Sequence, residues 1–322
     1  MSPDRQGPAA KEGFRAAGIR EEGRLIDVAS GPDPSTSPPA SAPAPDKPSA
    51  TRLPWAELKA AFDRAVAADF ATYIGAGQQH YDIHCTFARS RLNEGRDLIA
   101  YCDTVPPLAG RELSCLDIGA GNGGIAVAFA NVPRMRVDAT DLILNPTFTR
   151  AVRATRLPVR RTVSRAGALP YADASFDLVL LIDVLEHVRE RRQMGSEVMR
   201  ILKPGGIAFI TTPARLRYFN RPDPHYGVRG LLALPNFAQR FVVNRVLGMR
   251  TATMQGTSVP AYDVEHTFWH YREIARLFPG RDWVEPLFGF PMGGGPLFSR
   301  EWLRRKLRGF LFHHVVIRKE PA

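Results

Sequence analysis

The 322-residue sequence has only three cysteines, Cys85, Cys102 and Cys115, an odd number with neither CxxC spacing nor a neighbouring histidine pair. That excludes a disulfide framework and gives no zinc-ligand pattern, so no metal is expected. Long apolar runs are also missing, none approaching the roughly 18 to 20 residues of a membrane-spanning helix. The first residues lack the basic start and apolar stretch of a secretory signal. A soluble protein of the reducing cytoplasm is expected, in contact with the inner face of a membrane at most peripherally. Glycine and proline, at 27 each, are too sparse and aperiodic for a collagen-like chain. With 44% hydrophobic and 23% charged residues, the chain can bury a sizeable core.

Acidic side chains are in short supply, 32 against 43 basic ones, for a net charge of +11. The shortage is local. Residues 1–52 carry 7 basic and 7 acidic groups, 53–115 carry 6 and 8, 116–212 carry 13 and 9, and 213–322 carry 17 and 8. The excess therefore belongs to the last third rather than to the fold as a whole.

Composition divides the chain further. From Ala29 to Ala50, 17 of 22 residues are Pro, Ala or Ser, too little apolar surface to offset the entropy of ordering a backbone. Residues 1–52 are expected to be a disordered tail. Residues 53–112 read as a segment of two or three helices, with Trp55, Leu58, Phe62 and Val66 at helical spacing. From Leu113 short apolar runs alternate with helical stretches, the pattern of an α/β, doubly wound, mostly parallel sheet. Strands are expected at Leu113–Ile118, Met135–Thr140, Asp177–Ile182, Gly206–Thr211, Trp283–Phe288 and His313–Arg318. Helices are expected over Ile125–Asn131 and Val188–Leu202. Lys203-Pro204-Gly205-Gly206 reads as the turn that stops a helix and starts a strand. Residues 214–279 form an insertion inside this domain of residues 113–322, longer than a connection of about 2 to 6 residues plus a crossover helix requires.

The strand-turn-helix string Leu116-Asp117-Ile118-Gly119-Ala120-Gly121-Asn122-Gly123-Gly124 marks a ligand site. Gly119, Gly121 and Gly124 satisfy G-x-G-x-x-G, and Asp141 lies near the spacing of a ribose-binding acid, as in a nicotinamide-dependent oxidoreductase. Asp117, however, would repel the pyrophosphate that a helix N-terminus attracts and would suit a cationic ligand.

Two further blocks follow in order. Leu169-Pro170-Tyr171-Ala172-Asp173-Ala174-Ser175-Phe176-Asp177 leads into Leu178-Val179-Leu180-Leu181-Ile182-Asp183-Val184-Leu185-Glu186-His187-Val188, and Glu197 to Gly206 reads EVMRILKPGG. With the glycine string, they resemble the class I S-adenosylmethionine-dependent methyltransferases, particularly the group that includes the ubiquinone and menaquinone methyltransferases. The resemblance spans about Leu113 to Pro213. It implies a seven-stranded Rossmann-like methyltransferase fold and S-adenosylmethionine as cofactor. It also implies that Asp117, Gly119, Ala120 and Gly121 line the methionine end, that Asp141 accepts the ribose hydroxyls and that Leu142 packs beside the adenine. Where many members have Gly-Asp-Ala, this chain has Ser164-Arg165-Ala166, and Arg165 cannot accept the adenine amino group. Backbone groups from Ala166 to Ala168 are the expected substitute. Asp183, at the carboxyl end of its strand, either faces the cofactor and acceptor or caps the following turn.

Transfer to oxygen would need a base, and the candidates are His187, His225 in Asp223-Pro224-His225-Tyr226-Gly227, and His266 beside Glu265. For His187 the plainer reading is a packed, hydrogen-bonded histidine. The segment around His225 resembles one in methyltransferases of glycan or cell-envelope synthesis. The expected acceptor is a small molecule, a glycan or a lipid-linked compound. Leu231–Met249 and Arg300–Phe312 read as basic apolar helices, suited to packing on the sheet or to peripheral contact with an anionic membrane. Nucleic acid is not expected as a partner because no added module is visible. The alternatives are a catalytically inactive methyltransferase-like interaction module and an RNA methyltransferase.

Overall fold

A computed structural model describes residues 52–70, 78–213, 215, 219, 228–248, 251–254, 257–260, 268, 270–286 and 313–321. The chain divides into two compact units, Met1–Pro39 and Ala40–Ala322, and every described residue belongs to the second.

Its frame is one seven-stranded sheet. The strands are β1 (Leu113–Ile118), β2 (Met135–Asp141), β3 (Val159–Val163), β4 (Phe176–Ile182), β5 (Leu202–Thr212), β8 (Arg281–Pro286) and β9 (His313–Lys319), while β6 (Thr251–Met254) and β7 (Thr257–Pro260) form a separate hairpin. The order is β3-β2-β1-β4-β5-β9-β8. Strands β1 to β5 are parallel, and β9 lies antiparallel between β5 and β8. From β1 the chain winds one way to β2 and β3, and from β4 the other way to β5. This reversal opens a crevice at the carboxyl ends of β1 and β4.

Side-chain alternation explains why the sheet is covered on both faces. Cys115, Val137, Leu178, Ile207 and Val316 point into one core, shared with helices α1 (Trp55–Phe70), α2 (Gln78–Cys102), α3 (Gly124–Ala130) and α4 (Pro146–Thr155). Leu116, Val179, Ala208 and Ile317 point into the other, closed by α5 (Arg191–Ile201) and α7 (Tyr271–Ala275). All seven residues of β4 are buried, and each large aliphatic one stabilises the fold by about 1.5 to 3 kcal/mol.

Several elements differ from expectation. Helix α5 starts at Arg191 rather than Val188, because Leu185–His187 close a 3-10 turn and Val188 takes extended backbone. Lys203–Gly206 lies within β5 as a bulge: Phe176 pairs with Leu202, but Leu178 pairs with Ile207. Gly205, at φ 75°, makes the excursion, and the Lys203 ammonium donates to Asp177 at 2.7 Å. Helix α4 and strand β3 were not anticipated. Leu231–Met249 is not one helix: Leu231–Ala233 form a 3-10 turn, Pro235 breaks the chain, α6 spans Asn236–Phe241 and Val242–Val246 form a π turn. Arg300–Phe312 lies outside the described residues. No helix among the described residues is long and apolar enough to cross a membrane.

Candidate functional site

The glycine string turns at the mouth of the crevice. Gly119, at φ 71°, follows β1, and any Cβ there would collide with Val184 in the loop after β4. Its N–H and that of Ala120 donate to the Thr140 carbonyl at 2.8 and 3.2 Å, so the loop lies across the end of β2. The Gly121 N–H donates to Asp141 Oδ2 at 2.7 Å, and the Leu142 N–H to Asp141 Oδ1 at 2.7 Å. Gly123, at φ 80°, opens α3 against the Phe148 ring, where a side chain would overlap it.

Beneath this loop Asp117 is 4% exposed. Burial, reinforced by the Asp141 charge, raises its pKa from the ordinary 3.8 to about 7, while the Arg91 guanidinium acts in the opposite direction. Asp183 follows β4 in a left-handed conformation, φ 53°. Its N–H donates to the Thr211 carbonyl and hydroxyl, at 3.1 and 3.0 Å, and its Oδ1 accepts from the Thr211 hydroxyl at 3.0 Å. Its Oδ2 accepts from Arg91 Nη2 at 2.6 Å. The 3-10 turn that follows has Val184 as its N-cap residue, with no side-chain cap hydrogen bond.

Arg91 and Glu94 are contributions of α2 that the motifs did not reveal. Arg91 Nη1 donates to Glu94 at 2.7 Å. Burial alone would lower the Arg91 pKa, but the Asp183 and Glu94 carboxylates hold it above its ordinary value. Burial in turn raises that of Glu94. They reach the crevice because α2 packs without clearance on α3: a Cβ on Gly95 would lie 2.7 Å from that of Ala128, and one on Gly124 2.7 Å from the Leu92 nitrogen. A glycine inside a helix costs about 1 kcal/mol relative to alanine, so Gly95 was the available sign of such an approach.

Asp183 and Glu94 thus share the Arg91 guanidinium, whose charge also acts on Asp117, and Asp141 adds a further carboxylate at the glycine loop. A cradle lined by carboxylates and free of side chains at its glycines fits a cationic ligand carrying a vicinal diol, and suits a pyrophosphate poorly.

The family described as "Methyltransferase domain" matches residues 116–210. An uncharacterized methyltransferase of Mycolicibacterium gilvum is 30% identical over 183 residues, covering 49% of this chain and 68% of that relative. One of Mycobacterium marinum is 31% identical over 180 residues, covering 50% and 68%. The chain belongs to the class I S-adenosylmethionine-dependent methyltransferases. A crystal structure of a SAM-dependent methyltransferase of Methanosarcina mazei is 18% identical, with a TM-score of 0.42, covering 66% of this chain and 94% of that one.

Leu142 is 60% exposed next to Asp141. The Ser164 N–H donates to the Asp141 carbonyl at 3.0 Å, and its hydroxyl lies 2.6 Å from that of Thr140. Arg165 is exposed, and the turn it begins closes with the Ala168 N–H donating to its carbonyl at 3.0 Å. Ala168 is exposed as well. His187 Nε2 lies 3.8 Å from Oε1 of the buried Glu186, in the 3-10 turn after β4. His225 and His266 are outside the described residues.

Proposed function

We propose that this methyltransferase acts on a small-molecule, glycan or lipid-linked acceptor, at oxygen. S-adenosylmethionine supplies an activated methyl group on a sulfonium, so the protein has chiefly to align the acceptor and exclude water. Asp117 and the Gly119, Ala120 and Gly121 backbone would hold the methionine end, with Asp183 facing it. Asp141 would accept the ribose hydroxyls. Leu142 and the backbone from Ala166 to Ala168 would enclose the adenine, in place of the acid that Arg165 replaces. The observation that carries the cofactor assignment is Asp141: its carboxylate, held by two backbone N–H groups at the end of β2, stands beside the glycine loop, and the two oxygens of a carboxylate suit a vicinal diol.

A hydroxyl acceptor must lose a proton as the methyl arrives, and the reading at oxygen rests on the histidines. His187, in the turn after β4 with its Nε2 3.8 Å from Glu186 Oε1, is one candidate base. His225 and His266 remain candidates for the same role. The basic excess after residue 212 supports an anionic acceptor. The division into a tail over 1–52, a helical segment over 53–112 and a transferase domain over 113–322, its acceptor side built by 214–279, belongs to the same proposal.

Calorimetry with S-adenosylmethionine tests the site: Asp141→Ala should weaken binding by about 1.5 to 3 kcal/mol, the worth of its charged hydrogen bonds. An unchanged affinity would refute the assignment. A screen of hydroxyl-bearing small molecules, glycans and lipid-linked compounds with labelled methyl donor tests the acceptor, and methylation confined to nitrogen or carbon would overturn the reading at oxygen.

A further inference from the structure

The short helices after β5 form a pad with little interior of its own. Leu231 and Val243 form a small cluster with Val228 and Val242 packed against them, and Leu232 is buried as well. It is fastened by polar contacts: the buried Arg215 donates to Asn236 Oδ1 at 2.7 Å, and the Gln239 amide donates to the Leu234 carbonyl at 2.8 Å. Gln239 and Val243, four residues apart, face inward. The π turn, closed by the Leu247 N–H donating to the Val242 carbonyl at 2.9 Å, widens the helix there.

The outward side is unusual for a protein surface. Phe237 is 78% exposed, Phe241 61% and Val246 66%. Phe219 is 75% exposed, and its carbonyl lies against Gly230 at the head of the pad. Arg240 and Arg245 are exposed among these residues. Between Asp223 and Asp263 the sequence has no acidic residue, yet it has arginines at 229, 240, 245 and 250. Large apolar side chains grouped on one exposed face mark an interaction site. Charge selects the partner: arginines interleaved with phenylalanines in a stretch of sequence without acidic residues suit an anionic lipid surface, with the rings below the headgroups and the guanidiniums at phosphate level.

We propose that Phe237, Phe241 and Val246, with Arg240 and Arg245, form a docking face for an anionic bilayer. None of its residues is among those assigned to the cofactor, and its occupation by a bilayer requires neither acceptor nor cofactor. It therefore stands independently of the acceptor reading.

Sedimentation of the full chain with vesicles tests it, comparing phosphatidylcholine alone with phosphatidylcholine mixed with phosphatidylglycerol. The chain should bind the anionic vesicles only, and less as salt is raised. Phe237→Ser with Phe241→Ser should lower partitioning about tenfold or more, since the inserted rings supply the apolar part of the binding. Arg240→Gln and Arg245→Gln should each lower it about fivefold. Melting temperature and S-adenosylmethionine affinity should stay unchanged in all of these variants, which separates loss of docking from loss of fold. Equal partitioning of the wild type and the double phenylalanine variant would overturn the proposal. So would a concentration-dependent dimer, seen by sedimentation velocity, that the double variant abolishes while vesicle binding persists; the face would then belong to a second copy.

Discussion

The glycine loop and the pad after β5 are built on opposite principles. Around the loop, space is exhausted: Gly119, Gly123 and Gly124 have no room for a Cβ, and an aspartate is buried under the turn. On the pad, two phenylalanines point outward and Gly248 has nothing within 4 Å of a would-be Cβ. One region is closely packed throughout. The other leaves apolar area uncovered.

The sharpest way to break this contrast is to add one carbon to each region. Gly123→Ala drives a methyl into the Phe148 ring at φ 80° and should destabilise the fold by about 2 to 4 kcal/mol in thermal melts. Gly248→Ala meets only the left-handed backbone penalty, about 1 kcal/mol. Equal losses would mean that the two regions are packed alike.

Next in size is Arg91→Gln, which leaves Glu94 and Asp183 without their shared cation. Breaking a buried pair costs about 3 to 5 kcal/mol. Asp183 has a side chain 38% exposed, so about 2 kcal/mol is expected after solvent screening. Denaturant melts should show part of it restored by adding Asp183→Asn, and no restoration would show that Arg91 works through other partners.

The proton on Asp117 gives a smaller effect. Between its ordinary 3.8 and about 7 the folded chain holds a proton that the unfolded chain has lost. This group therefore contributes most to stability at low pH, and that contribution declines as pH rises to about 7. A cationic ligand favours the carboxylate, so S-adenosylmethionine affinity should rise with pH below about 7, by at most about tenfold per unit. Calorimetry across that range should show the slope, and Asp117→Asn should flatten it.

Smallest of all, Phe237→Ser should change stability by no more than about 0.5 kcal/mol. A larger fall in melts would show that the ring supports the pad's own interior.

How far these regions could be read from sequence follows the same divide. Leu116 to Gly124 combines an apolar strand, glycines and a helix start within nine residues, so the loop, β1, α3 and the acid at Asp141 were legible together. β4 was equally plain, being apolar throughout. β3 was not, because Val159-Arg160-Arg161-Thr162-Val163 is only half-buried and carries two arginines. The start of α4 did carry a signal, Asn145 capping ahead of Pro146, with its side chain accepting from the Thr147 N–H at 2.9 Å. Pro235 likewise announced the break that divides Leu231–Met249. Arg91 and Glu94 were out of reach: their place depends on a helix approach that only the folded chain reveals, even though Gly95 permits it.

That approach limits what can be cut from this protein and moved. The stretch shared with the family, 116–210, contains the loop, Asp117, Asp141 and Asp183 but neither α1 nor α2. With Gly95 seated on Ala128, one wall of the crevice and the only described arginine bonded to Asp183 come from outside it. A minimal transferase excised at the family boundary would keep Asp183 and lose its counter-cation, so the portable unit of this fold includes at least α2.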